Sequence, residues 1–141
     1  MNAAPWLIAG AILSAAASLM HVAIIIGGPA WYRFFHAGEK LAQMAERGEA
    51  QPWLITLAIA GVLASFAAYA LSAADLLPRL PLLRLAMVSI TSVYLVRGLA
   101  ILPLWILRPA MVDPFIFWSS LIVLGYGIVH AIGTLLAWSD L

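Results

Sequence analysis

Four long apolar runs, roughly 5–28, 52–72, 81–102 and 114–138, fill most of the chain, and the polar residues gather between them. Each run reaches the ~20 residues that a helix needs to cross a bilayer core. Each also opens on a proline: Pro5, Pro52, Pro81 and Pro114. Proline suits a first helical position, because the N–H it lacks would have no partner there. Asp113, just before Pro114, supplies a carboxylate N-cap for the fourth helix. The pattern predicts an all-α integral membrane protein, a single domain over 1–141, folded as a four-transmembrane-helix bundle. The first run reads as a retained span rather than a cleaved signal. It has no Lys or Arg before it and exceeds the about 7–15 apolar residues of a signal core.

The stretch between the first two runs has a different period. Gly27-Gly28-Pro29 ends the first helix, after which Trp31, Phe34, Phe35, Leu41, Met44 and Ala45 recur at helical spacing. Arg33, Lys40 and Arg47 stand seven apart on one flank of that wheel, and Glu39 and Glu46 on the other. Residues 30–47 are therefore expected to form one amphipathic interfacial helix between helices 1 and 2. With four spans, the connections 29–51 and 103–113 share one side, here A, and the termini and the 73–80 turn share the other, B. All six tryptophans then fall near a boundary, where an amphipathic ring is favoured. Small residues, such as Gly10, Ser14 and Ser18 or Gly61 and Ser65, recur four apart and predict close helix packing.

Composition agrees. The chain is 65% hydrophobic and 9% charged, against about 25% charged in soluble domains. A net charge of +1 offers no footprint for nucleic acid. The absence of cysteine removes thiol catalysis, thiolate metal sites and disulfides. Nothing in the chain calls for a cofactor.

Of thirteen charged residues only Arg97 lies well inside an apolar run. Buried ionisable groups at membrane depth are costly and mark candidate sites. His21 is sixteen residues from Pro5, and Arg97 sixteen from Pro81, so both are expected roughly 24 Å from side B, near the side-A end. Tyr94 and Thr91 follow one and two turns deeper on the Arg97 face. Arg33, His36 and Glu39 sit on the connection above. A ligand-binding set of His21, Arg97, Tyr94, Thr91, Glu39, His36 and Arg33 is thus expected near side A. Glu39, Asp113 or an external anion would balance Arg97. Near side B, Tyr69 and His130 are expected to form a structural hydrogen-bonded pair. His21 and His130 lie too far apart in depth to share a metal, and no metal site is expected.

Three functional readings follow. The first is a small polytopic protein that binds a lipid or a small lipophilic or anionic ligand, or serves as an accessory subunit. The second is a membrane enzyme using His21 as acid/base and Arg97 as anion holder. The third is an oligomeric small permease. Proton-coupled export is disfavoured because no span carries an acid. The expected partners are membrane lipids, such a ligand, and a homo-oligomer or larger membrane complex, with no nucleic acid. Arg33, Lys40, Arg47 and Arg108 on side A outnumber Arg79 and Arg84 on side B, which favours A in the cytoplasm. The Ala- and Leu-rich composition points to a bacterial inner membrane.

Overall fold

A computed structural model describes residues 2–141, and all regular structure among them is helical. The apolar runs become α1 (Ala4–Gly27), α4 (Gln51–Ala73), the pair α5 (Leu83–Leu99) and α6 (Ile101–Leu107), and α7 (Pro114–Leu136). Taken as Ala4–Gly27, Gln51–Ala73, Leu83–Leu107 and Pro114–Leu136, these are four helices long and apolar enough to cross a membrane. Asp113 caps α7 as expected, its Oδ1 accepting from the Ile116 amide at 2.8 Å.

Two stretches depart from the sequence expectation. The third run starts later, because Leu82 takes a left-handed conformation (φ 55°) ahead of Leu83. It also ends five residues later, at Leu107 rather than 102. Pro103 has no N–H to give the Leu99 carbonyl, so the helix breaks one turn earlier, at Ala100. The Ala100 amide donates to Val96 at 3.0 Å and Leu104 to Ala100 at 3.3 Å, which carries the chain past the break.

The 30–47 segment is not one helix. It forms α2 (Pro29–Phe34) and α3 (Glu39–Glu46). His36 at φ 54° and Gly38 at φ 103° lie outside helical space, and the latter conformation is one that glycine adopts readily.

The chain forms two compact units. The first joins the residues up to Leu13 with Phe66–Leu141, and the second is Ser14–Ser65. In the second unit Ile24, Tyr32 and Ala42 form a buried cluster, flanked by Phe35, Leu41 and Ala45. Ser18 donates to the Ala60 carbonyl at 2.8 Å, joining the α1 and α4 segments there. Thr56 Oγ1 lies 2.9 Å from Pro52 O and 3.2 Å from Tyr32 Oη, tying α2 to the start of α4.

The first unit is organised by α5 against α7. Leu83, Met87, Ile90, Tyr94 and Gly98 make one buried stripe, and Ser120, Gly127, His130 and Thr134 lie on the other helix. Glycine sets their spacing. A Cβ on Gly98 would stand 2.6 Å from the Leu124 backbone, and one on Gly127 2.8 Å from the Leu95 side chain. The Leu7 side chain packs against Gly133 in the same way, at 2.9 Å from a Cβ there. Such contacts let backbones approach and gain dispersion energy.

Gly98→Ala should therefore destabilise the protein by about 1–3 kcal/mol through overpacking. Gly125, whose Cβ would meet open space, should tolerate alanine with a gain of up to about 1 kcal/mol from helix propensity. Thermal unfolding of the two variants in detergent checks the contrast; equal melting shifts would reject it.

Candidate functional site

Contacts between the paired helices fix how deep each polar residue sits. Leu95 faces Gly127, Gly98 faces Leu124, and the Trp105 and Phe117 rings meet edge-on at 5.7 Å. Partners move in opposite directions along the two helices at an equal pace, so α5 and α6 run antiparallel to α7 in one register. Continued to Arg97, that register sets its backbone beside residue 125. This is the middle of α7, about 16 Å from either end. Arg97 thus stands farther from the end of its helix than expected, because the helix resumes beyond Pro103 and runs to Leu107. The Arg97 side chain is exposed and extends toward the Pro114 end, where its Nη1 donates to Ser120 Oγ at 3.2 Å.

Below it a ladder of polar contacts joins the same two helices. Tyr94 stacks on the His130 ring, with centroids 5.2 Å apart and planes at 25°. Phe66 and Tyr126 meet Tyr94 edge-on at 5.7 and 5.6 Å. Thr91 Oγ1 lies 3.3 Å from Thr134 Oγ1. His130 is 1% exposed and rests on Gly10, where a Cβ would come within 3.0 Å of the imidazole. Glycine at position 10 is what leaves room for it.

Tyr69 and His130 do not form the expected pair. The Tyr69 hydroxyl donates to the Pro81 carbonyl at 3.3 Å, while His130 faces Tyr94. Counting residues from each helix start gave these two a common level, but level does not set the face of the helix.

The other expected residues lie in the second unit. His21 Nδ1 stands 2.8 Å from the Ala17 carbonyl of its own helix. A carbonyl only accepts, so Nδ1 is the donor in this contact. Arg33, His36 and Glu39 are brought together, lining a shallow cleft of about 330 Å³ with Gly38. Glu39 is held by Arg33 through a two-pronged contact: Nε to Oε2 at 2.9 Å and Nη2 to Oε1 at 2.8 Å. The third guanidinium nitrogen reaches Glu46 Oε1 at 2.7 Å. Both oxygens of Glu39 are therefore engaged by Arg33, and the only hydrogen bond of Arg97 among the described residues goes to a hydroxyl. No group of three His, Cys, Asp or Glu side chains converges among the described residues.

Ser120 and Thr134 belong to the ladder, though neither is among the residues expected at the site. Serine and threonine are ordinary packing residues in apolar helices, so composition carried no signal for either. Register could have found them, since Thr91, Tyr94 and Arg97 share one face and need partners on a single neighbour.

No protein family, curated protein or solved structure matches this chain. Its four apolar helices are compatible with an integral membrane protein.

The Arg33 clamp lies outside those helices and carries titratable carboxyls. Hydrogen bonds from Arg33 hold the Glu39 and Glu46 carboxyls below their ordinary value of 4.5, and the same bonds raise the Arg33 guanidinium further. A lowered carboxyl pKa contributes stability above the unfolded value, and that contribution is lost as pH falls through the folded one. The α2–α3 arrangement should hold at neutral pH and loosen below about pH 4. Spin labels on Ala30→Cys and Lys40→Cys should show a narrow distance distribution at pH 7 that broadens at pH 3. Arg33→Gln should broaden it already at pH 7. A distribution unchanged by both acid and Arg33→Gln would exclude the clamp.

Proposed function

We propose that the chain is a small polytopic integral membrane protein that binds a lipophilic anion through Arg97. The observation that carries this reading is an arginine whose backbone lies beside the midpoint of α7 and whose guanidinium has one hydrogen-bond partner among the described residues, the neutral Ser120. Arginine does not shed its proton. In a hydrocarbon surrounding it calls for an anion, and a hydroxyl supplies a dipole but no charge. The neighbouring surface of α5 is apolar, with Val93, Val96 and Leu99 at 52%, 69% and 44% exposure. A lipid phosphate or ligand carboxylate at Arg97, with its apolar body along that surface, satisfies both features. His21 bonds within its own helix, and this reading does not use it. The enzyme and permease readings gain no comparable support.

In the same picture α2 and α3 lie in the membrane interface. Trp31 and Phe34 are exposed beside the Arg33–Glu39–Glu46 cluster, which suits a boundary between lipid and water. Side A carries the larger share of basic residues and would face the cytoplasm. A bacterial inner membrane remains the host that the composition suggests.

An accessory role is the second reading, in which a partner's membrane helix supplies the carboxylate to Arg97. It is favoured by the small-residue face at Gly61, where a Cβ would meet nothing within 4 Å. Binding of a fluorescent long-chain fatty acid to the detergent-purified protein separates the two. Arg97→Gln should weaken it about tenfold, equivalent to ~1.4 kcal/mol, with Arg97→Lys intermediate and His21→Ala unchanged. If folded Arg97→Gln binds the fatty acid as well as wild type, the ligand reading fails. If it also lowers the mass of the native assembly, the accessory reading holds.

A further inference from the structure

Where α5 begins and α7 ends, the first unit encloses an open cleft of about 790 Å³. Arg79 and Arg84 form its polar rim, and Leu82, Leu85, Val88 and Trp138 much of its apolar wall. Both guanidiniums are oriented by the chain's own carbonyls. Arg79 Nη1 donates to Asp140 O at 2.7 Å, and Arg84 Nη2 to Trp138 O at 3.1 Å. Arg84 also lies over the Trp138 ring, 4.9 Å from its centroid. Each of these bonds uses one of a guanidinium's five N–H groups. No carboxylate pairs with either arginine among the described residues; that of Asp140 accepts from Ser139 Oγ at 3.3 Å. The result is two held cations without a counter-ion, beside exposed apolar side chains. Leu82 is 73% exposed and Leu85 61%, and Leu82 is set by a backbone in the left-handed region that a bulky residue seldom adopts.

We propose that this cleft binds an anionic phospholipid. The phosphate lies between Arg79 and Arg84, which match it with forked N–H donors. One acyl chain follows Leu82, Leu85 and Val88, and the Trp138 ring sits at the glycerol level, as interfacial tryptophans do. The site shares with the Arg97 reading only the premise that these helices span a membrane. Arg84 is the second residue of α5, at headgroup height, and stands thirteen residues or about 20 Å along the chain from Arg97. Charge and apolarity together select the occupant. A free phosphate would leave the leucines in water, and a choline headgroup would bring a third cation to the rim.

The test uses the full chain in mild detergent, with lipid retention read by native mass spectrometry. Phosphatidylglycerol should be retained over phosphatidylcholine by about thirtyfold, the scale expected for two basic residues at an anionic headgroup. Millimolar glycerol phosphate should not displace it. The folded double variant Arg79→Gln, Arg84→Gln should lose the preference, and Arg97→Gln should keep it. Because both arginines hold the end of α7, the double variant could fail to fold. Wild-type protein photolabelled by phosphatidylglycerol with a diazirine acyl chain then decides, with adducts expected within 79–88 or 138–141. No preference in wild type, a preference that survives the folded double variant, displacement by glycerol phosphate, or adducts only elsewhere each overturns the proposal. If Arg97→Gln abolishes the preference while the double variant keeps it, the Arg97 reading stands and this one fails.

Discussion

The close approach of α5 and α7 at Gly98 and Gly127 is the constraint on which the first unit depends. Glycine at these positions lets one backbone lie almost against the other, so the pair cannot slide by a turn without driving a side chain into a main chain. Once the register is locked, everything along the pair is assigned a partner: Thr91 to Thr134, Tyr94 to His130, Arg97 to Ser120. None of these polar contacts would hold the helices together alone, since hydrogen bonds between membrane helices are individually modest. Packing sets the geometry, and the polar groups use it.

Much of the architecture was legible because it follows from local rules. The four apolar runs, the proline starts of α1, α4 and α7 and the Asp113 cap are each decided by a few neighbouring residues. Three features were not legible, for different physical reasons. Pro103 was read as the end of a span, yet a proline near a helix start costs only one bond, and the helix resumes after it. Arg97 was consequently placed too near the end. Tyr69 and His130 were matched by depth alone, while the direction a side chain takes around its helix depends on which neighbour it packs against. The split of α2 from α3 turns on His36 and Gly38, whose backbone angles override a helical pattern of apolar residues on both sides.

These corrections change what Arg97 means. Near a membrane surface a guanidinium could reach water by extending its stem. Its backbone stands beside the midpoint of α7 instead, and its reach toward Ser120 covers about five residues of helix, or about 7.5 Å. On the proposed reading, the anion at Arg97 supplies the charge that Ser120 lacks. Arg79 and Arg84, just before and at the start of α5, differ in kind, since carbonyls of Asp140 and Trp138, just past α7, hold them.

Arg33 has a further role in a chain without cysteine. By gripping Glu39 and Glu46 at once it closes the loop from α2 to α3, the service that a disulfide performs in secreted hairpins. Unlike a covalent link, this one rests on exposed charges, which dissolved ions screen within about 8 Å at physiological salt. The order of the segment is therefore set partly from outside the protein, by the ionic strength and the surface potential of whatever lies against it.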